Sequence, residues 1–360
     1  MKTALGIDIG GTKISMVLGT AAGKILARSR IPTLKNKEVP ACIHEMIRCL
    51  RQLISENTTS CRNLIGIGLG IPGAVDSSKG VVPRSPHLPG WEGMLLSRIL
   101  EKEFGIPVIM ANDANAACVA EKIFGSAKEC QNYIYVTVST GIGGGIITHG
   151  RLLEGASYVA GEVGHMTIVP DGNKCKCGNN GCLEAYASGT AIAKHAEVLV
   201  AGGRKSVLRA ILKRQGYLSG ADVGNAALEQ DSVAEESFAY AAHFLGVGLA
   251  NLLNIVNPEL ITLGGGVWRS APPFFFDLMI ASCKKYAWPE AFDRVHIMKS
   301  KLGNSVGDLG ALALVFENVG LSNSVKPVLK HAKTRRSLVP PRQFIYKTGM
   351  KPRSARAANL

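Results

Sequence analysis

The chain has 360 residues, 46% hydrophobic and 19% charged, a globular balance that excludes a wholly disordered or collagen-like polymer despite 41 glycines. At roughly 150 residues per domain this is about two domains, large enough to bury cores without disulfide staples. The formal charge is +14, but ten Lys or Arg and no acid fall within 321–360, so the first 320 residues carry only +4. That basic stretch, rich in Pro and poor in large apolar residues, reads as a disordered tail with at most nonspecific attraction to nucleic acid or anionic lipid.

The start, MKTALGIDIGG, lacks the apolar stretch of a secretory leader, and no segment offers about 18 uninterrupted apolar residues. A cytoplasmic protein with no membrane partner is expected. Nine cysteines, of which only Cys175, Cys177 and Cys182 cluster, do not form a disulfide framework.

In chain order, TALGIDI, KISMVLG and KILARSRI predict a β-meander. Ile43, Ile47, Leu50 and Ile54 then place one apolar face on a helix from about Glu38 to Asn57. LIGIGLG predicts a buried strand, Gly93 to Phe104 a helix, and PVIMA a strand that delivers the chain to Asn112 and Asp113, followed by a helix through Ala116, Ala117 and Ala120. YIYVTVS, a glycine turn at TGIGGG and IITHG then repeat the opening pattern about 130 residues later. Two α/β units of this kind make two lobes with a ligand cleft between them. The second unit continues through a cysteine-rich loop, a long helix near Ala234 to Ile255, the strand ELITLGGG and a last helix near Asp308 to Asn318. The expected division is an N-terminal lobe over 1–111, a C-terminal lobe with a metal loop over 112–320, its last helix packing back on the first lobe, and the tail over 321–360.

The chemistry sits at the turns. DIGGTK at 8–13 places Gly10 and Gly11 where backbone amides converge and a phosphate approaches with no Cβ in the way. TGIGGG at 140–145 offers the same device, and Gly264, Gly265 and Gly266 form a third cluster. No Walker loop occurs, and neither hairpin is a dinucleotide fingerprint, since a strand follows each. One glycine hairpin alone is most simply a tight turn; the matching set suggests a nucleotide held between lobes. Asp8, at a strand end beside the first turn, reads as a turn cap or as a ligand for Mg²⁺, held through water. Asn112 and Asp113 stand where a strand becomes a helix, so either an N-cap or a general base fits them.

The sharpest local signal is Glu162-x-x-His165 followed by Cys175-x-Cys177-x₄-Cys182 and Glu184. Three thiolates and an imidazole complete the shell of a structural Zn²⁺ with no open position. Such an ion clamps the His165 loop to the segment that carries Glu184.

In their order, DIGGTK, GIPGAVD at 70–76, NDANAA at 112–117, STGIGGGI at 139–146, GEVGH at 161–165, CKCGNNGCLE at 175–184 and LGGGV at 263–267 resemble the ROK family (repressors, open reading frames and kinases). SPHLPGW at 85–91 resembles its glucokinase branch. The resemblance covers about residues 4–318. It implies an α/β, actin-like (hexokinase-type) fold of two lobes that binds ATP and Mg²⁺ beside a hexose, usually as a homodimer. By that likeness Asp113 is the catalytic base at the sugar 6-hydroxyl, Asn112 its sugar-binding neighbour, and Glu162, His165 and Glu184 hold further hydroxyls, with Gly73 in the loop lining the pocket. His165, Cys175, Cys177 and Cys182 match zinc ligands, leaving the other His165 ring nitrogen for the sugar. Asp8, Gly10, Gly11, Thr12, Lys13, Thr140, Gly141, Gly143, Gly144 and Gly264 to Gly266 match the nucleotide site, and Lys13 lies close enough in sequence to help with phosphate charge.

Glucose is the expected acceptor. N-acetylmannosamine, N-acetylglucosamine, fructose or allose are the alternatives, because discrimination depends on pocket shape, and polyphosphate or ADP are alternatives to ATP. The family also contains sugar-responsive transcription regulators with an N-terminal helix-turn-helix. Here the first hairpin follows Met1 almost at once, so no specific nucleic-acid partner is expected.

Overall fold

A computed structural model of the chain describes residues 1–85 and 88–324. Pro86 and His87, within the SPHLPGW likeness, and residues 325–360 of the expected tail lie outside the described residues.

Aliphatic runs of seven or eight residues form the first sheet: β1 (Thr3–Ile9), β2 (Lys13–Thr20), β3 (Ile25–Pro32), β4 (Leu64–Ile71) and, after the small hairpin β5 (Ala74–Asp76) and β6 (Val81–Arg84), β7 (Val108–Asn112). Their order is β3-β2-β1-β4-β7, with β1 antiparallel to β2 and parallel to β4. The second sheet contains β8 (Tyr133–Val138), β9 (Ile142–Thr148), β10 (Arg151–Leu152), β11 (Leu260–Gly264) and β12 (His296–Lys299), in the order β10-β9-β8-β11-β12. The two orders and pairing senses are the same, so the sequence repeat is a structural duplication. Each sheet has a separate apolar core, one including Leu5, Ile7 and Met46 and the other Val136, Leu249 and Phe275.

Several elements differ from the sequence expectation. The helix Val39–Glu56 buries Cys42, Met46, Cys49 and Leu53 together with Ile43 and Leu50, whereas Ile47 and Ile54 are only partly covered. The helix expected from Gly93 begins at Leu96, because Gly93 adopts a positive φ of 77° that a helix does not use. The turn expected over TGIGGG is only Ser139–Gly141. β9 begins at Ile142 and contains Gly143, Gly144 and Gly145. The reason is packing. A Cβ on Gly145 would lie 2.5 Å from Cys118 Cβ and one on Gly144 2.6 Å from a Val163 methyl carbon, so these glycines let a helix and a loop lie flat on the strand.

The last helix runs from Val306 to Ser324 and packs on β1, β4 and the helix Asp113–Ile123. Gly310 permits this crossing, since a Cβ there would meet the Ala116 carbonyl carbon at 2.9 Å. Ser232–Val256 is, among the described residues, the one helix long and apolar enough to cross a membrane by length and composition. Half of its most apolar stretch is buried inside the fold, and it packs against the helices Gly189–Ala201 and Phe274–Tyr286.

Candidate active site

The first hairpin closes when the Gly10 N–H donates to the Lys13 carbonyl (2.9 Å). Thr33 braces it, its hydroxyl donating to the Gly10 carbonyl (2.7 Å) and its N–H to the Thr12 carbonyl (3.0 Å). An added Cβ on Gly11 would meet nothing within 4 Å, so this backbone is open to a ligand. Asp8 sits one residue before the end of β1, in register with Ser15 and Gly70. Burial pushes its carboxyl up to about 7, reinforced by the negative charges of Asp113 and Asp308 and opposed by Lys13. Gly307 closes over this carboxylate, since any Cβ there would overlap it. A crowded carboxyl among neighbouring acids, beside the open backbone of Gly11, fits a cation that accompanies phosphate.

At the end of β7, Asn112 caps the helix Asp113–Ile123, its Oδ1 accepting from the N–H groups of Ala114 (2.8 Å) and Asn115 (3.3 Å). Its Nδ2 donates to the Gly73 carbonyl (3.0 Å), and Gly73 has a φ of 108°, open to glycine alone at little cost. Asn112 and Gly73 are therefore brought together, with the Asn112 amide occupied by protein partners. Asp113 is exposed at the first helical position, one carboxylate oxygen accepting from the Ala114 N–H at 2.9 Å.

The metal-type cluster forms as the spacing predicts. His165 Nδ1 lies 3.7 Å from Cys175 Sγ, Cys177 and Cys182 sulfurs are 3.7 Å apart, and all four ligand atoms lie within 4.8 Å of one another. Zinc–sulfur bonds of about 2.3 Å in a tetrahedron require sulfur separations of about 3.8 Å, so this donor set fits Zn²⁺. The other His165 nitrogen, Nε2, faces Glu162 Oε2 at 3.9 Å. Glu184 Oε1 lies 3.9 Å from Cys175 Sγ, while its Oε2 accepts from the Ile142 N–H at 2.9 Å. Glu184 thus ties the thiol cluster to the second glycine turn. The Glu162 carboxyl is raised by burial, then by Asp113 and Glu184, against the pull of His165. Asp113, Glu162, His165 and Glu184 therefore share one region.

Thr140 and Gly266 line a cavity of about 370 Å³ together with Gly189, Thr190, Gly220 and Arg269. Gly264 and Gly265 do not line it. Gly264 accommodates the Tyr135 ring, and Gly265, with φ 99°, accommodates the Val138 backbone. Gly143 and Gly144 are packed inside β9, as described above. Sequence reasoning missed Gly189, Thr190, Gly220 and Arg269. The available signal was a pair of Ser-Gly steps: Ser188 and Ser219 each cap a helix whose first residue, Gly189 or Gly220, faces this cavity.

The model of the ROK family matches residues 4–318. The chain belongs to the ROK family. It is 36% identical to a glucokinase of Halalkalibacterium halodurans, over 86% of this chain and 94% of that protein. It is also 32% identical to a putative xylose repressor of a Caldicellulosiruptor species, over 88% of this chain and 78% of the repressor. Among solved structures, a ROK hexokinase from Thermus thermophilus superposes with a TM-score of 0.74 at 32% identity, covering 88% of this chain and 99% of that one. A ROK family glucokinase from Streptomyces griseus, solved with glucose and AMPPNP, gives 0.71 at 30% identity, covering 87% and 98%. The fold is the actin-like ATPase fold expected of the family, and the protein is a sugar kinase.

Proposed function

We propose that this ROK family kinase transfers the γ-phosphoryl group of ATP to the 6-hydroxyl of glucose, with Asp113 as the general base. The observation that carries the reading is placement. Asp113 stands exposed at the start of the helix Asp113–Ile123, next to Asn112 and the Gly73 loop that Asn112 holds, and its charge also raises the Asp8 carboxyl beside the first hairpin and the Glu162 carboxyl beside His165. A proton acceptor between a phosphate-sized opening and a hydroxyl-binding cluster is what phosphorylation of a sugar needs.

In this reading Glu162, His165 Nε2 and Glu184 orient the hydroxyls, Asn112 holds the Gly73 loop against them, and Asp113 accepts the proton as the 6-oxygen attacks phosphorus. Thr140, Gly266 and the capped helix starts at Gly189 and Gly220 hold the nucleoside, and Gly10 to Lys13 meet the phosphates. Asp8 would hold Mg²⁺, which when bound offsets phosphate charge. His165, Cys175, Cys177 and Cys182 would hold a Zn²⁺ that fixes the His165 and Glu184 segments and leaves no position for chemistry. Glucose is favoured by the glucokinases among the relatives. N-acetylhexosamine and fructose kinases of the same family remain the competing readings at this site. The xylose repressors support a second reading, a sugar-responsive regulator.

ADP release measured across a panel of hexoses tests the assignment, with kcat/KM highest for glucose as the expected result. Turnover with no hexose refutes the kinase, and sequence-selective DNA retardation at physiological salt supports the regulator instead. Asp113→Asn keeps an oxygen for the Ala114 N–H, so the fold persists while kcat falls by about 10² to 10⁴. Near-normal turnover removes Asp113 from the role.

A further inference from the structure

A second cavity, of about 330 Å³, opens on a different face of the helix Gly189–Ala201. Gly189 and Ala193 face the nucleotide cavity, whereas Ala191, Lys194, His195 and Val198, spaced three and four apart on one stripe, face the other. Its size is at the lower end of ligand pockets, which run about 300–1,000 Å³. Lys174, Lys176 and Lys194 line it, and among the described residues none of the three has a carboxylate partner within 4 Å. The single acid in its wall, Glu184, keeps its charge while accepting from the Ile142 N–H, so three lysines against one carboxylate leave the wall with a cationic excess. Part of the wall is flat and aromatic: His195 stacks on Tyr240 with ring centres 4.1 Å apart and planes 15° from parallel.

Three lysines in one cavity wall favour a multiply charged anion, and a flat aromatic surface with neighbouring amides such as Asn173 suits the face of a sugar ring. We propose that this cavity binds a phosphorylated small molecule of hexose phosphate size, and that its occupancy lowers kinase activity. The coupling is built into the walls. Thr140 and Thr190 line both cavities and are joined by a 2.7 Å hydrogen bond from the Thr190 hydroxyl to the Thr140 carbonyl. Glu184 and Gly141 line the second cavity as well. A ligand drawing on Lys194 and Lys176 therefore bears on the residues that hold hexose and nucleotide. The regulatory half rests on the kinase reading above; the binding half does not. Lys174 and Lys176 flank Cys175 and also stand near the thiol cluster, but that neighbourhood gives no reason for Lys194, about a turn and a half into the helix Gly189–Ala201.

The test is isothermal titration of the full chain with glucose 6-phosphate, its catalytic pockets filled by glucose and AMPPNP, and in parallel with inorganic phosphate. One binding site is expected, stronger for the sugar phosphate, and weakened at least tenfold in the Lys176→Glu, Lys194→Glu double variant with zinc content unchanged. Equal affinity for the two probes assigns the cavity to free phosphate and overturns the sugar-phosphate claim. No heat with the pockets filled, or an unchanged affinity in the double variant, overturns the site. In steady state, inhibition by glucose 6-phosphate should be noncompetitive toward both substrates and lost in the double variant, whose uninhibited rate stays unchanged. Inhibition competitive with either substrate refutes the regulation. Because the inorganic phosphate titration compares wild type and variant directly, it decides the site even for a chain that phosphorylates no hexose.

Discussion

Gly141→Ala isolates the contact on which the second glycine turn depends. The new Cβ would fall well inside 3.0 Å of Glu184 Oε2, the oxygen that accepts from the Ile142 N–H at 2.9 Å. Gly141 has no positive φ, so the substitution carries no backbone strain. The overlapped atom also ends a flexible side chain, so the fold yields by moving Glu184 and still melts cooperatively, at a melting temperature lower by a few degrees. What is lost is a hydrogen bond to a charged group, about 1.5–3 kcal/mol. If Glu184 holds sugar hydroxyls from that position, the hexose KM rises by about 10- to 100-fold, since 1.4 kcal/mol is tenfold. The KM for ATP changes less. Coupled kinetics with each substrate varied, beside a thermal melt, reads the split. The contact acts as a unit with Glu184, so Gly141→Ala and Glu184→Gln together should cost no more than the worse of the two. An unchanged hexose KM in a cooperatively melting Gly141→Ala protein refutes the reasoning, and so does strict additivity of the pair.

Gly68→Ala is the structural counterpart: its Cβ would overlap the Ala311 carbonyl, a backbone atom of the last helix that cannot rotate away, so it should cost more than about 2 kcal/mol and lower the melting temperature by several degrees. Burial beside Glu154 raises the Glu317 carboxyl, against the pull of Lys122. A raised folded-state value means that stability falls as pH climbs above the ordinary 4.5, so Glu317→Gln should stabilise at pH 8 and lose that advantage near pH 4, as denaturant melts at the two pH values will show. If the thiol cluster holds zinc as proposed, its removal by a chelator, followed by metal analysis, should raise the hexose KM more than the ATP KM, because His165 belongs to the cluster and Glu184 touches it; equal effects on both would detach the cluster from sugar binding.

How far the site could be read from the chain depends on the range of the interaction behind each residue. Both meanders follow from local aliphatic runs, and His165 with its three cysteines follows from spacing, because the ligands of such a cluster lie within 18 residues of one another. Gly143 and Gly144 looked like part of a phosphate turn because the chain does not reveal that Ala114 and Val163 press on β9. Asn112 carried two readings, and its cap geometry realises the local one while its amide reaches Gly73, 39 residues away. The cavity proposed for the nucleotide was the least legible part. Gly189 and Gly220 meet only because two capped helices start side by side, with a Cβ on Gly220 2.9 Å from the Gly189 carbonyl.

The duplication also explains why the two hairpins are not interchangeable. In the first unit Ile9 pairs with Ile14 and Asp8 with Ser15; in the second Val138 pairs with Ile142 and Thr137 with Gly143. Asp8 and Thr137 are thus equivalent, and so are Gly70 and Gly264, their partners across the parallel ladder. The same backbone holds a carboxylate on one side and a neutral hydroxyl on the other. At this strand position a carboxylate stands in the first unit alone, and the acid beside the second turn, Glu184, is bound to the Ile142 N–H; in the proposed reading the phosphate end of a nucleotide therefore belongs at the first hairpin. The second hairpin opens instead on a cavity with Arg269 and two helix starts, suited to the rest of the nucleotide. Asp8→Thr should therefore abolish the magnesium dependence of nucleotide affinity, measured by titration with AMPPNP with and without the metal, whereas Thr137→Asp should leave it intact. Retained dependence in Asp8→Thr reverses the polarity assigned to the two units.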